Sequence, residues 1–420
     1  MNARARIAGA VALVLASVAG TGAVVANSAE VQRTSPGPHV SAEHGRYLVR
    51  AGDCMSCHTA DNGAPFAGGR AVPTPFGTIY STNITPDRST GIGDWSEDDF
   101  YRAMHQGIAR DGHHLYPAFP YPWFTRISRD DVRDIKAYLG TRPAVRAVNR
   151  APELPWPLSV RGAMAVWNGM YLHEGVYGSD PTKSAAWNRG AYLVRGLGHC
   201  GACHGDKNFA GAVDKDHPLA GGFAEHMYAP ALTGGKRDGL GQWSEQDIVE
   251  YLGSGRNAIA TAGGAMAEVV EQSTQYLSEA DRRAIAVYLK SLPAPGTERQ
   301  ASVGDGTMKR GAALYLDNCE ACHMRGGTGQ SGAFPPLRNS SAVQAAEPDT
   351  LIAAILQGDR VPATKADQTA LAMPAFADKL DDREIAQLTT YIRNAWGNHA
   401  GSVDAGDVHD MRKQLRKAGH

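Results

Sequence analysis

Beyond residue 29 the chain has no apolar run near the roughly 20 residues that a membrane span needs. It has almost no net charge, −1 formally over 420 residues, so nothing in its balance points to nucleic acid. It lacks the glycine fingerprint of a dinucleotide fold and the nucleophile elbow of a hydrolase. No acid–base constellation stands out. Convincing strand alternation is absent as well, which leaves an all-α class. Aromatic residues make up only 7%, a small share for filling several cores. Most telling, no cysteine is spare.

All six cysteines fall in three copies of one pattern: Cys54-Met-Ser-Cys57-His58, Cys200-Gly-Ala-Cys203-His204 and Cys319-Glu-Ala-Cys322-His323. Three disulfides would not require a histidine after every second cysteine. A zinc site takes four ligands, and each copy supplies three crowded into five residues. A thioredoxin-like pair would not normally recur three times without β-α-β patterning. Cys-x-x-Cys-His is instead the attachment signature of c-type haem. One turn of helix sets two thiols and an imidazole on the same side. The sulfurs bond the porphyrin rim, and the histidine faces the iron. The reading is therefore three covalently bound haem c groups, held by Cys54, Cys57, Cys200, Cys203, Cys319 and Cys322, with His58, His204 and His323 as proximal ligands. A porphyrin also acts as core, which suits the low aromatic content.

The N-terminus carries Arg4 and Arg6, an apolar stretch from Ile7 to Val25, and small residues through Ala29. This reads as a cleaved signal peptide over residues 1–29 rather than an anchor. Its removal would take the formal charge to about −3. Export agrees with the attachment of c-type haem outside the bacterial cytoplasm.

The chain repeats itself around each motif. A short helix with a glycine precedes it: Gly45-Arg-Tyr47, Gly190-Ala-Tyr192 and Gly311-Ala-Ala. An amphipathic helix follows far downstream, starting at Ser128, Ser278 and Asp381 with an acid three residues on. It ends near Tyr138, Tyr288 and Tyr391, and the glycine and tyrosine would let the two helices cross closely. A middle helix follows Trp95-Ser-Glu-Asp-Asp99 and Trp243-Ser-Glu-Gln-Asp247, with Pro348-Asp349 in the third slot. These marks divide the chain into units at 38–143, 184–296 and 307–398. A proline- and tryptophan-bearing bridge spans 144–183, a polar linker runs from Ala294 to Gly306, and a polar, solvated tail covers 399–420. The fold expected is three tandem class I cytochrome c-like domains.

A sixth ligand opposite histidine tunes the iron, and methionine there marks an electron-transfer centre. Met266 and Met373 fit the repeat spacing, each in a loop between the middle and closing helices. The same spacing in the first unit lands on Phe119, which cannot ligate. Met104 is the tentative replacement. His105, His113 or His114, or a haem without a protein sixth ligand, are the other possibilities. Pro65, Pro73, Pro75 and Pro335-Pro336 follow their motifs and are candidates to leave a carbonyl for the proximal imidazole.

Longer runs carry a resemblance. Gly77-Thr-Ile-Tyr-Ser-Thr-Asn83-Ile-Thr-Pro86, the stretch from Arg110 to Tyr121, the run from Trp187 to His204, Met266-Ala-Glu-Val-Val-Glu and Ala372-Met-Pro-Ala-Phe resemble the triple-haem cytochrome c subunits of membrane-bound bacterial alcohol, gluconate, sorbitol and aldehyde dehydrogenases. The resemblance implies a subunit in the periplasm at the outer face of the inner membrane. It implies electrons taken from a catalytic dehydrogenase subunit with a quinone cofactor, flavin or molybdenum centre. It implies their delivery to ubiquinone or another respiratory carrier. Two departures stand out: Phe119 where many relatives have methionine, and Gly205-Asp-Lys-Asn after the second motif. The competing readings are a haem enzyme with an open first haem, peroxidase- or reductase-like, and a free-standing electron shuttle.

Overall fold

The computed structural model describes residues 40–224, 227–294 and 304–418. The leader read at residues 1–29 lies outside the described residues. The fold is mostly helical and runs through the same helical plan three times. Opening helices are Ala42–Ala51, Ala185–Tyr192 and Asp305–Asn318. The motif turns are Cys54–His58, Gly201–His204 and Glu320–His323. Middle helices follow at Glu97–Gln106, Glu245–Ser254 and Asp349–Gln357. Closing helices are Arg129–Gly140, Glu279–Lys290 and Asp382–Asn394.

Among the described residues three small antiparallel strand pairs qualify the all-α expectation. They pair Ala71–Thr74 with Gly77–Tyr80, Gly222–Ala224 with Met227–Ala229, and Asp359–Arg360 with Ala372–Met373. Strands this short cannot display a period of two in sequence.

The glycines of the opening helices let backbones touch. A Cβ on Gly45 would lie 1.9 Å from the Asp134 carbonyl oxygen, on Gly190 2.0 Å from that of Ala284, and on Gly311 2.3 Å from that of Gln387. Tyr138, Tyr288 and Tyr391 flank the three crossings.

Helix caps distinguish the third unit from the other two. The Asp381 cap is a closed reciprocal box: Glu384 N–H donates to Asp381 at 2.8 Å, and Asp381 N–H donates to Glu384 at 2.9 Å. In the first two units a tyrosine hydroxyl from the other unit enters the box. Ser278 N–H donates to Tyr47 Oη at 3.2 Å, and Tyr47 donates on to Asp281 at 2.6 Å. Ser128 N–H donates to Tyr192 Oη at 3.0 Å, and Tyr192 donates to Asp131. The exchange is reciprocal, as in a two-fold interface where each partner offers the same patch. At the matching place in the third unit stands Ala313, two residues after Gly311.

The cores follow that division. One cluster runs from Leu48 and Val49 through Ile127 and Ile135 to Leu193, Leu197 and Leu289, joining the first two units. A second, with Tyr315, Ile352, Ile385 and Leu388, belongs to the third. Arg256 links the second unit to the third by an ion pair with Asp367 at 2.5 Å and a bond to the Thr369 carbonyl at 2.7 Å. The bridge holds a helix, Ala163–Tyr171, whose Trp167 packs with Tyr121 and Ala212.

The C-terminal segment corrects the expectation of a solvated tail. Residues Ala405–Ala418 form a helix that buries Val408 and Met411 in the third core. Arg412 pins it to Asp382 at 2.6 Å and to the carbonyls of Ala377 and Leu380. Three apolar residues at helical spacing, Val408, Met411 and Leu415, suffice on a short helix with one covered face. Among the described residues no helix is long and apolar enough to cross a membrane.

Candidate haem-binding sites

Each motif forms a single turn at the end of its opening helix. In the first, Asp53 adopts a left-handed conformation, φ 49°, which breaks the helix and starts the turn. Its carboxylate accepts from Ser56 Oγ at 2.6 Å, and burial pushes its pKa up to about 7. None of the six cysteines is in a disulfide. Burial pushes the thiols of Cys54 and Cys200 up to about 12 and that of Cys319 up to about 11. They are neutral groups against apolar walls, unlike the activated thiolates of redox sites. Among the described residues no three His, Cys, Asp or Glu side chains converge as a bare metal ion requires.

The three motif histidines share one arrangement. Nδ1 of His58 lies 2.6 Å from the Thr82 carbonyl, that of His204 2.7 Å from Pro230, and that of His323 3.0 Å from Pro335. A carbonyl only accepts, so Nδ1 carries the proton in each ring. Nε2 is left as a lone-pair donor. Burial lowers the pKa of all three, which keeps them neutral. A neutral imidazole with Nδ1–H on a carbonyl is the prepared state of an iron ligand. Of the prolines expected in this role only Pro335 serves. In the first unit Thr82 takes the place expected of Pro65, Pro73 or Pro75, and in the second the carbonyl comes from Pro230, which was not among the prolines expected, because backbone position rather than residue type decides which carbonyl meets the ring.

These observations fit haem c: paired thiols outside any disulfide, an imidazole of fixed tautomer, and small-residue helix crossings beside each turn. Cys54, Cys57 and His58 would hold the first group, Cys200, Cys203 and His204 the second, Cys319, Cys322 and His323 the third.

Met266 lies on the first turn of a helix, Gly264–Gln272, rather than in a loop. Met373 sits on a two-residue strand opposite Asp359 and packs on the third core. Met104 is 4% exposed on the middle helix of the first unit, within the shared core. Its neighbour His105 stacks on Tyr101 at 3.9 Å and is pushed down to about 4 by burial and the nearby Arg129 charge. His113 pairs with Asp111 at 2.5 Å. His114 bridges to Ile108 and borders a cavity of about 300 Å³ with Asn168 and Glu174.

The first two sites meet at the seam. A Cβ on Gly52 would stand 3.1 Å from Leu197 and 3.6 Å from Cys54 Sγ, and one on Gly198 would stand 3.7 Å from Cys200 Sγ. Cys54 therefore lies near Leu197 of the second unit, and beside Cys200 a Cβ on Gly201 would stand 3.0 Å from Trp123 Nε1 of the first. Arg70 and Glu268 form a bidentate ion pair that ties the first unit to the helix of Met266. Neither this seam nor the tyrosine exchange was evident from motif spacing. The paired Gly-x-Tyr sequences were its only trace.

A family model described as cytochrome c matches residues 42–143. One described as cytochrome c oxidase, cbb3-type, subunit III matches residues 306–392. The cytochrome c subunit of the quinone alcohol dehydrogenase from Gluconobacter oxydans is 41% identical, over 88% of this chain and 82% of the relative. The gluconate 2-dehydrogenase cytochrome c subunit of Pantoea cypripedii is 40% identical, over 90% and 91%. The fructose dehydrogenase cytochrome subunit of Gluconobacter japonicus is 38% identical, over 92% and 86%. These are electron-transfer subunits rather than catalysts. With likeness of that extent, the chain belongs to the family of dehydrogenase cytochrome c subunits, whose domains carry covalently bound haem c.

Proposed function

We propose that the chain is a three-haem electron-transfer subunit, built from three tandem class I cytochrome c domains. It takes electrons from a catalytic dehydrogenase subunit that bears a quinone cofactor, a flavin or a molybdenum centre. It passes them to ubiquinone or another respiratory carrier, in the periplasm at the outer face of the inner membrane. The observation that carries this reading is the threefold recurrence of a Cys-x-x-Cys-His turn whose imidazole donates Nδ1–H to a backbone carbonyl. A single such turn serves a shuttle. Three in one chain, two of them abutting, make a relay.

Haem supplies the one-electron chemistry, and the protein supplies spacing, ligation and burial. In this reading Met266 and Met373 would be the residues that complete the second and third irons, and a thioether there would raise the potential. The contact of Gly52 with Leu197, and of Gly201 with Trp123, would hold the attachment turns of the first two groups beside each other.

The test is the matured protein isolated from its native host. Its mass should exceed that of the processed polypeptide by three haems. A large dehydrogenase subunit with a redox cofactor should co-purify from the membranes. Fewer than three haems would overturn the relay. Purification without a partner would favour the free-standing shuttle.

A further inference from the structure

In the first unit, Phe119 occupies the place that Met266 holds in the second. Both middle helices end in a left-handed glycine, Gly107 at φ 63° and Gly255 at φ 74°. The residue after each glycine forms an isolated bridge, Ile108 with His114 and Arg256 with Thr261. The next amide then returns to the glycine carbonyl: Leu115 N–H to Gly107 and Ala262 N–H to Gly255, both at 2.7 Å. From these matched bonds Phe119 and Met266 are each four residues on. The backbones share a register up to this bond; beyond it Met266 stands on the first turn of the helix Gly264–Gln272, and Phe119 in the turn that precedes the helix Tyr121–Phe124.

Phe119 is held firmly. Its N–H donates to the Tyr116 carbonyl at 3.0 Å, and its own carbonyl accepts from Tyr121 N–H at 2.7 Å. Its ring meets Phe124 edge-on at 5.6 Å and Tyr121 at 6.4 Å. Met104 occupies a different place. It corresponds on the middle helix to Leu252 and Ile355, and Ile355 is 2% exposed. Those units carry both an aliphatic residue on the helix and a methionine beyond it. The helix position is thus a packing position that accompanies the sulfur site. Of the histidines nearby, His113 is paired with Asp111, and His105 stacks on Tyr101 from the middle helix, next to the packing position of Met104, with its buried Nε2 without a hydrogen-bond partner. His114 sits at the register of Thr261, five residues before the matched position.

We propose that the first haem has no protein sixth ligand, and that Phe119 makes its distal side an apolar site for a small neutral molecule such as carbon monoxide. The inference rests on haem being attached at Cys54, Cys57 and His58, as in the proposed function. An apolar, aromatic lining excludes anions, because an unpaired charge there is costly, and admits neutral diatomics.

Carbon monoxide titration of the dithionite-reduced, fully matured protein tests this, followed optically. Haem content and the methionine-to-iron charge-transfer band of the oxidised form are measured beside it. The expected result is three haems per chain, one carbon monoxide bound per chain, and band intensity for two methionine-ligated irons. Phe119→Met should abolish the binding and raise the band by half. Met104→Leu should leave both unchanged. No uptake by the native protein overturns the proposal. So does uptake indifferent to Phe119→Met in a variant that retains three haems, or loss of band intensity in Met104→Leu. A haem count below three instead rejects the underlying function.

Discussion

Asp281 accepts from Tyr47 at 2.6 Å and from both Nε and Nη2 of Arg189, at 2.8 and 2.7 Å. Burial alone would raise its pKa. The bonds from Arg189 and Tyr47 outweigh that and hold the carboxyl below the ordinary range. The unfolded chain therefore binds this proton at a higher pH than the folded one. The stability that follows is fully present above the unfolded value, about 4. It is lost as the pH falls from there through the lower folded value. Asp281→Asn should flatten that part of the acid limb in a plot of denaturant midpoint against pH. An acid limb unchanged by the substitution would exclude Asp281 as its source. At the same scale, Met373→Leu removes the sulfur proposed to ligate the third iron. It should lower one of the three reduction potentials in a spectroelectrochemical titration and leave the other two in place.

Helix crossings are decided by one missing atom. Gly311 needs its hydrogen because the Gln387 carbonyl oxygen lies where a Cβ would sit, at 2.3 Å. Gly311→Ala must push apart two helices that carry the buried Tyr315 and Leu388. The expected cost is about 1–3 kcal/mol, the usual range for overpacking a tight core. A shift in midpoint read through the third unit alone measures it. The glycine and tyrosine of these crossings were visible in the sequence because the repeat sets three copies side by side. The cysteine–histidine turns were visible because covalent attachment demands adjacent residues. The carbonyl that orients each histidine was not, since any residue supplies one: Thr82 is 24 positions from His58. The C-terminal helix was hidden for another reason. Its charged residues dominate its composition, while Arg412 turns inward to carbonyls of the loop before the closing helix Asp382–Asn394.

Across the molecule the three repeats are not equivalent. The first two interlock through Tyr47 and Tyr192, which swap hydroxyls into each other's caps over a common core. The third closes its own cap at Asp381 and packs its own core. Hydrogen exchange of the matured protein should therefore show the closing helices Arg129–Gly140 and Glu279–Lys290 opening together, and Asp382–Asn394 opening separately. Tyr47→Phe removes a donor to a carboxylate and an acceptor for the Ser278 amide. A hydrogen bond to a charged group is worth about 1.5–3 kcal/mol, and the same holds for Tyr192→Phe. Because the two exchanges brace one seam, the double variant should depart from the sum of the singles, as coupled neighbours do. Protection in the third unit should stay at its native level in all three variants. Equal loss of protection in Asp382–Asn394 would show instead that the three units unfold as one body, with the bonds of Arg256 to Asp367 and Thr369 and the Arg360–Glu271 ion pair strong enough to join the two cores.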